Sequence, residues 1–166
     1  MENLNQKQKI LLNAIQSWKK PGGKIIVGVD GYSGAGKTTL VQGIEREDAD
    51  ILPVNRDDFA IPRKEFWDKF GKAKTEQEKI DVVVDETIDI NELSSFLKKF
   101  QEEDGIIEWT LRNDKSGFKD NLRKFSFSKS VLVVEGIFLF RHNGVKSLFD
   151  KKVFLEIDQE MADDKT

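Results

Sequence analysis

The chain has 166 residues, a length that suits one domain with a sizeable hydrophobic core. Its 27 basic and 30 acidic residues give a net charge of −3, which argues against a general nucleic-acid binder, because such proteins usually carry a basic surplus. Cysteine is absent and His142 is the single histidine, which excludes a disulfide framework and a zinc site built from Cys and His.

The N-terminal segment predicts a helix and no targeting signal. Residues 4–19 place Leu11, Ala14, Ile15 and Trp18 at the spacing of an amphipathic helix, which packs on a sheet or, as the alternative, binds a partner. The start of the chain lacks the basic and apolar segments of a signal peptide. No apolar run approaches the roughly 20 residues that cross a bilayer. We therefore expect a cytoplasmic protein without a membrane partner.

A glycine-rich loop follows the first predicted strand. Residues 24–30 form a short apolar run rich in β-branched side chains, typical of a parallel strand buried on both faces. The pattern G-x-x-x-x-G-K-[ST] comes next and is met by Gly31, Gly36, Lys37 and Thr38. A helix is expected from there to Glu47.

This loop predicts a site for ATP with Mg²⁺. Glycines allow the backbone to approach phosphate oxygens closely, and successive N–H groups surround them beside the positive end of a helix dipole. Lys37 supplies a cation for the β- and γ-phosphates, and the Thr38 hydroxyl is a magnesium ligand. The predicted nucleotide-binding residues are Gly31, Ser33, Gly34, Ala35, Gly36, Lys37, Thr38 and Thr39.

Acidic residues follow two further predicted strands. Ile51–Asn55 is a short strand, placed at or near a sheet edge by Pro53, and Asp57 and Asp58 come directly after it. Glu135 ends the apolar strand 131–134. Since ligands collect at the carboxyl ends of strands in open α/β sheets, we expect both acidic sites to meet the glycine loop in one crevice.

The middle of the chain is rich in charge. Residues 63–74 are basic and residues 76–92 are acidic, which indicates a solvated surface segment or, alternatively, a moving substrate flap. Asn91 is predicted to cap a helix over 92–103. A strand over Ile106–Leu111 and a turn over 113–117 follow.

The alternation of strands and helices, completed by a last strand over 152–157, predicts an α/β fold with a largely parallel sheet. With the loop, it is expected to be a three-layer αβα fold of the P-loop NTPase type. We expect one domain over residues 1–166, with a substrate-side insertion at about 61–125. A GTPase would need an N-K-x-D signature and a transporter ATPase an L-S-G-G-Q-like segment. Both are absent from the sequence, which leaves a small-molecule kinase.

The motifs Gly-Tyr-Ser-Gly-Ala-Gly-Lys-Thr-Thr, Asp-Asp-Phe and Val-Val-Glu-Gly-Ile-Phe-Leu-Phe resemble those of the uridine kinase family and its nicotinamide riboside kinase relatives. The resemblance covers about residues 24–60 and 131–158. It implies that Asp57 is the catalytic base and that Glu135 helps to hold the magnesium and its waters. Asp58 is the alternative base. Physically, Asp57 would accept the proton of an attacking hydroxyl while Lys37 and Mg²⁺ stabilise the developing charge.

The resemblance implies phosphoryl transfer to a hydroxyl of a nucleoside-like small molecule. Thr38, Asp57 and Glu135 are then the predicted metal-site residues. Substrate contacts are predicted at Asp58, Phe59, Trp67, Trp109 and Arg112, the aromatics by stacking on a ring. The family's Tyr and His near Trp109 are absent, which weakens the case for uridine itself and leaves nicotinamide riboside or pantothenate as alternatives.

The family's strand corresponding to 152–157 leads into an arginine-rich lid helix, whereas this sequence continues Met161-Ala-Asp-Asp-Lys-Thr166. A lid clamps the phosphates and excludes water. The alternative function is therefore a magnesium-ATP-binding module with little or no catalysis. The strand over 152–157 is then expected to be an exposed edge that a second copy of the chain could pair.

Overall fold

The computed structural model describes residues 4–32 and 36–156. The predictions for Ser33, Gly34, Ala35 and the residues after Glu156 lie outside this part of the chain. The helices are α1 (Gln6–Trp18), α2 (Lys37–Glu47), α3 (Arg63–Lys72), α4 (Glu76–Asp85), α5 (Ile90–Glu102) and α6 (Asn143–Lys146). The strands are β1 (Ile25–Gly31), β2 (Ile51–Asn55), β3 (Ile106–Leu111), β4 (Asn121–Ser126), β5 (Val131–Gly136) and β6 (Lys151–Leu155). Two short 3₁₀ helices span Arg56–Phe59 and Leu139–Arg141.

Four of these strands form a parallel sheet in the order β2-β5-β1-β6. Every residue of the central strands β1 and β5 is buried, as the continuous apolar runs predict. The strand with Pro53 lies at one edge, where a missing backbone N–H is tolerated. Among the described strands β6 forms the other edge.

Successive side chains of the central strands point to opposite faces of the sheet and contribute to two hydrophobic cores, one on each face. One core joins Val27 and Val133 to the apolar faces of α1 and α2. The other joins Ile26 and Leu132 to α5, α6 and the β3–β4 hairpin. The sheet is therefore covered on both faces, which confirms the predicted α/β architecture with its parallel sheet.

The β3–β4 hairpin is antiparallel and separate from the main sheet. Strand β3 was predicted, whereas β4 was not, because Arg123 and Lys124 interrupt its apolar pattern. The turn between the strands contains Gly117 at φ +78°, a conformation that favours glycine. The hairpin packs on α5 through Phe125 and Trp109, which both contact the Phe96 ring.

The structure corrects one local prediction and shows the form of the charged segment. Asp89, not Asn91, caps α5: its carboxylate accepts a hydrogen bond from the Glu92 N–H at 3.0 Å, and the helix begins at Ile90. The charged segment 63–85 forms the helices α3 and α4. The segment is a solvated surface, as predicted, because Val82 is the one buried residue in these two helices. His142, the single histidine of the sequence, is half-buried and directly precedes α6.

Within the described residues, no helix combines the length and the apolar character needed to span a membrane.

Candidate active site

The predicted site residues meet at the carboxyl end of the parallel sheet. Asn55 ends β2 and lies directly beside Glu135 of β5 in the sheet register. Asp30 and Gly31 end β1, and the glycine loop begins there. Parallel strands present their carboxyl ends at one edge, so the sequence motifs after β1, β2 and β5 necessarily converge.

Lys37 is held at the start of α2 with its ammonium group folded onto the glycine loop. Nζ donates to the carbonyl oxygens of Gly31 at 2.7 Å and Tyr32 at 2.9 Å, and the residue is 8% exposed. Gly36 precedes it at φ +87°, which a glycine adopts without strain. The Lys37 cation is thus held beside the helix N-terminus, where phosphate oxygens are expected to bind.

Glu135 is the centre of a small hydrogen-bond network. Its Oε1 accepts from the Thr38 hydroxyl at 3.0 Å and from the Asn55 side-chain amide at 2.6 Å. The same Asn55 side chain accepts a hydrogen bond from the Asp57 N–H at 2.8 Å. One amide side chain therefore connects the carboxylate of Glu135 to the backbone of Asp57, the two acidic residues that the sequence assigns to catalysis.

The environment of Glu135 disfavours its ionised form. The residue is 5% exposed, and this burial raises the pKa of its carboxyl above the ordinary value. The hydrogen bond from Thr38 and the charge of Lys37 lower that pKa, while the carboxylates of Asp57 and Asp58 raise it. A cation bound nearby would stabilise the ionised carboxylate of Glu135 and so lower its pKa.

Asp57 and Asp58 differ in their partners. Asp58 Oδ2 accepts from Arg123 Nη1 on β4 at 2.9 Å, so this carboxylate is tied to the hairpin. The side chain of Asp57 is 70% exposed and has a longer contact of 3.4 Å with Arg56 Nη1. Of the two candidate bases, Asp57 is the more accessible to a ligand.

These side chains line a cleft of about 340 Å³, the phosphate-loop cleft. Its described lining consists of Gly36, Lys37, Thr38, Thr39, Asn55, Asp57, Glu135, Gly136 and Ile137. Among the described residues, no group of three or more His, Cys, Asp or Glu side chains is arranged to hold a metal ion alone. Mg²⁺ commonly binds through one or two oxygen ligands, waters and substrate phosphates. The adjacent oxygens of Thr38 and Glu135 fit that mode of binding.

A second cavity of about 440 Å³, the Arg56 cavity, adjoins the phosphate-loop cleft. Both pockets include Asp57 and Ile137 in their linings. The other residues of the Arg56 cavity are Arg56, Ala60, Phe66, Val83, Thr87, Ile88, Arg112, Asp114 and Phe138. Asp57 therefore lies between the phosphate-loop cleft and a partly apolar pocket of small-molecule size.

The structure separates the predicted substrate residues. Phe59 is 0% exposed and packs edge-to-face on Phe96 with ring centroids 5.1 Å apart, so the prediction that it contacts substrate is wrong. Its position, four residues after a strand end, gave no sign of this burial. Arg112 does line the Arg56 cavity. Trp67 and Trp109 are not among the residues that line it.

Both tryptophans have other contacts. Trp67 is 57% exposed on α3, where it contacts the rings of Phe66 and Phe70. Trp109 is half-buried on the hairpin, and its indole N–H donates to Glu92 Oε1 at 2.9 Å. The adjacent Phe66, which the sequence analysis passed over, lines the Arg56 cavity.

Sequence reasoning also missed Asn55, Arg56 and Phe138. Asn55 carries a signal that could have been found, because a polar residue at the end of a predicted strand faces the same crevice as the acids. Phe138 has φ +57°, a left-handed conformation that is unusual for a bulky residue and is known only from the structure. Nothing in the sequence indicates the burial of Arg56, because its 2% exposure depends on tertiary packing.

The fold and the cleft together define a P-loop protein of the α/β class with a parallel sheet. The sequence matches the profile of the phosphoribulokinase/uridine kinase family over residues 26–163, and the chain belongs to this family. It is similar to the uridine kinase of Chlamydia pneumoniae, with 26% identity over 141 residues, which make up 81% of this chain and 58% of that protein. The chain thus spans less than two thirds of the length of this relative.

Solved structures with the same fold include proteins described as kinases. One is described as a possible uridine kinase from Bacillus stearothermophilus; the TM-score is 0.73 at 18% identity, over 89% of this chain and 78% of that one. Another is described as a candidate fructose transport system kinase from a Silicibacter species; the TM-score is 0.74 at 15% identity, over 97% of this chain and 80% of that one. At these identities the likeness establishes the fold.

Proposed function

We propose that this chain transfers the γ-phosphoryl group of magnesium-bound ATP to a hydroxyl group of a small molecule. The observation that carries the proposal is the position of Asp57 in the linings of both the phosphate-loop cleft and the Arg56 cavity. A base at the junction of two pockets can contact a hydroxyl in one while a triphosphate occupies the other. Family membership supports the same reaction.

In the proposed reaction Asp57 accepts the proton of the acceptor hydroxyl. The hydroxyl oxygen then forms a bond to the γ-phosphorus, and the bond from that phosphorus to the β–γ bridging oxygen breaks, so ADP leaves with the electron pair. The reaction demands positioning and charge neutralisation more than covalent chemistry by the protein. Asn55 serves positioning, because it fixes the backbone of Asp57 and the carboxylate of Glu135 at once.

Lys37 supplies positive charge next to the transferred group. On nucleotide binding its Nζ would exchange the carbonyl oxygens of Gly31 and Tyr32 for phosphate oxygens. Thr38 and Glu135 would hold Mg²⁺, Thr38 directly and Glu135 directly or through water. When bound, the ion neutralises charge on the phosphate oxygens.

The curated relative is named as a uridine kinase, which makes a nucleoside-like acceptor the first to test, followed by nicotinamide riboside and pantothenate. Coupled ADP-release assays on these compounds, uridine and cytidine included, measure acceptor-dependent turnover. We expect at least one compound to raise ADP release well above the rate without acceptor, and Asp57→Ala to remove that increase. If no acceptor raises turnover above the Asp57→Ala background while magnesium-ATP binds tightly, the chain is instead a nucleotide-binding module.

A further inference from the structure

Arg56 is a buried cation whose hydrogen-bonding capacity is poorly used. Its contacts with Asp57 Oδ1, Val84 O and Thr87 Oγ1 are each 3.4 Å long. N–H···O bonds in proteins usually measure about 2.7–3.2 Å. Its Nε is enclosed and has no acceptor among the described residues. Because buried polar groups normally have close partners, the long contacts of Nη1 and Nη2 leave Arg56 with donors that a bound ligand could engage more closely.

Arg112 is also poorly hydrogen-bonded. Its Nη1 lies 3.4 Å from the Ile61 carbonyl oxygen and its Nη2 lies 3.2 Å from Asp114 Oδ1. The Nε of Arg112 is also enclosed without an acceptor in the described part of the chain. The side chain of Asp114 is 89% exposed, so this ion pair is solvated and contributes little.

Both arginines line the Arg56 cavity, although they come from different elements of the fold. Arg56 begins the 3₁₀ helix after β2, and Arg112 follows β3. Burial lowers the pKa of Arg56, whereas the charges of Asp57, Asp30 and Asp85 act in the opposite direction. The fork of an arginine matches the oxygens of a carboxylate or phosphate, and two such forks in one pocket favour an anion.

We infer that the acceptor carries an oxyanion, either a carboxylate or a phosphate, which Arg56 and Arg112 bind while the acceptor hydroxyl faces Asp57. This inference rests on the proposed function and narrows its substrate class. Phe66, Val83 and Phe138 supply apolar contacts for the carbon skeleton. A neutral nucleoside could accept hydrogen bonds from the arginines but would bring no negative charge to pair with them, so an anionic acceptor fits this cavity better.

The test compares acceptor analogues that differ only in the anionic group. Suitable pairs are glycerate with glycerol, pantothenate with pantothenyl alcohol, and ribose 5-phosphate with ribose. Each compound is titrated by calorimetry into the full chain saturated with Mg-ADP, which keeps phosphate-bearing probes out of the phosphate-loop cleft. If Mg-ADP itself fails to bind, the proposed function fails, and the same pairs titrated without nucleotide still decide the anion preference.

We expect the anionic member of at least one pair to bind about tenfold to hundredfold more tightly than its neutral partner, the range for charge-assisted hydrogen bonds. The responding pairs distinguish a carboxylate from a phosphate. Arg112→Gln should remove the preference. The matched control Arg141→Gln should retain it, because Arg141 is an exposed arginine that pairs with Asp85 and is not among the residues lining the cavity.

Circular dichroism verifies that each variant is folded. Arg56→Gln alters a buried group, so the decision depends on Arg112→Gln, whose side chain is 22% exposed. Three results would overturn the inference: equal affinity within every pair, no binding of any anionic probe, or an anion preference that survives in Arg112→Gln.

Discussion

The side-chain amide of Asn55 donates a hydrogen bond of 2.6 Å to Glu135 Oε1. Since Asn55 also accepts from the Asp57 N–H at 2.8 Å, it connects the residue that we assign to the metal with the residue that we assign to the proton. The register of β2 and β5 places Asn55 beside Glu135, so the parallel sheet itself brings these two side chains together.

Replacing Asn55 should therefore reduce turnover more than substrate affinity. In Asn55→Ala both contacts disappear, and small displacements of reacting groups cost up to about a hundredfold in rate. We expect kcat to fall roughly tenfold to hundredfold, with little change in KM for ATP. Steady-state kinetics measure this split, with the exposed Asn13→Ala in α1 as control. An unchanged kcat would show that Asn55 has no positioning role.

Asp57 and Asp58 should respond very differently to the same substitution. Asp57→Asn removes the base and should lower kcat by about 10²–10⁴-fold. Asp58→Asn weakens a pairing with Arg123 of β4 and should have a much smaller effect on kcat. Rates measured under saturating ATP compare the two variants directly. A larger loss in Asp58→Asn would reassign the base.

Burial of Glu135 makes stability depend on pH in a defined direction. Its pKa is raised in the folded protein, chiefly by burial. As pH rises from the ordinary glutamate pKa through the raised one, the unfolded state has released a proton that the folded state still holds. Stability therefore falls across this window and remains lower above it.

Glu135→Gln removes this ionisation while keeping an oxygen for Thr38 and Asn55. Without magnesium, we expect the variant to unfold at a higher temperature than the natural protein at pH 8, and the difference to shrink as pH falls to the ordinary glutamate pKa. Magnesium with ADP should stabilise the natural protein much more than the variant. Thermal unfolding across pH measures both effects, and the exposed Glu102→Gln is the control. A variant less stable at pH 8 would contradict the account.

Gly136 allows β5 to pass closely beside Arg56. A Cβ at this position would lie 2.4 Å from Arg56 Cβ, so Gly136→Ala must displace either β5 or the segment that contains Arg56. We expect a loss of about 1–3 kcal/mol in the free energy of unfolding, typical of overpacking. Urea denaturation measures it against Gly71→Ala, where the added methyl group meets nothing within 4 Å and a helix gains stability. Equal stability of the two variants would contradict the proposed close packing.

The sequence alone predicted the part of the site that depends on local motifs. The strand, the glycine loop and the helix that holds Lys37 and Thr38 are contiguous, and β2 and β5 end in residues whose meeting follows from parallel topology. The surroundings of the second pocket depend on long-range packing instead. Nothing in the sequence around Phe59 distinguishes an aromatic ring in the hydrophobic core from one that contacts substrate.

The burial of Arg56 likewise could not be predicted from the sequence. Next to two acids Arg56 looks like a solvated charge, and its burial arises from packing against Gly136 and the segment at Val84 and Thr87. The sequence also did not reveal the helices α3 and α4, since all their residues but Val82 are exposed or half-buried and leave no apolar stripe of core width. Sequence periodicity reports burial, so exposed helices and buried charges are the elements that it misses.

The most direct measurement of the central claim is mass spectrometry of the acceptor after incubation with Mg-ATP and the full chain. The account predicts that an acceptor gains one phosphoryl group in step with ADP release, and that Lys37→Ala and Asp57→Asn strongly reduce the rate of product formation while both variants remain folded. Product formation at the natural rate by Asp57→Asn would contradict the assignment of the base. Tight Mg-ATP binding without phosphorylation of any acceptor, neutral or anionic, would contradict phosphoryl transfer itself.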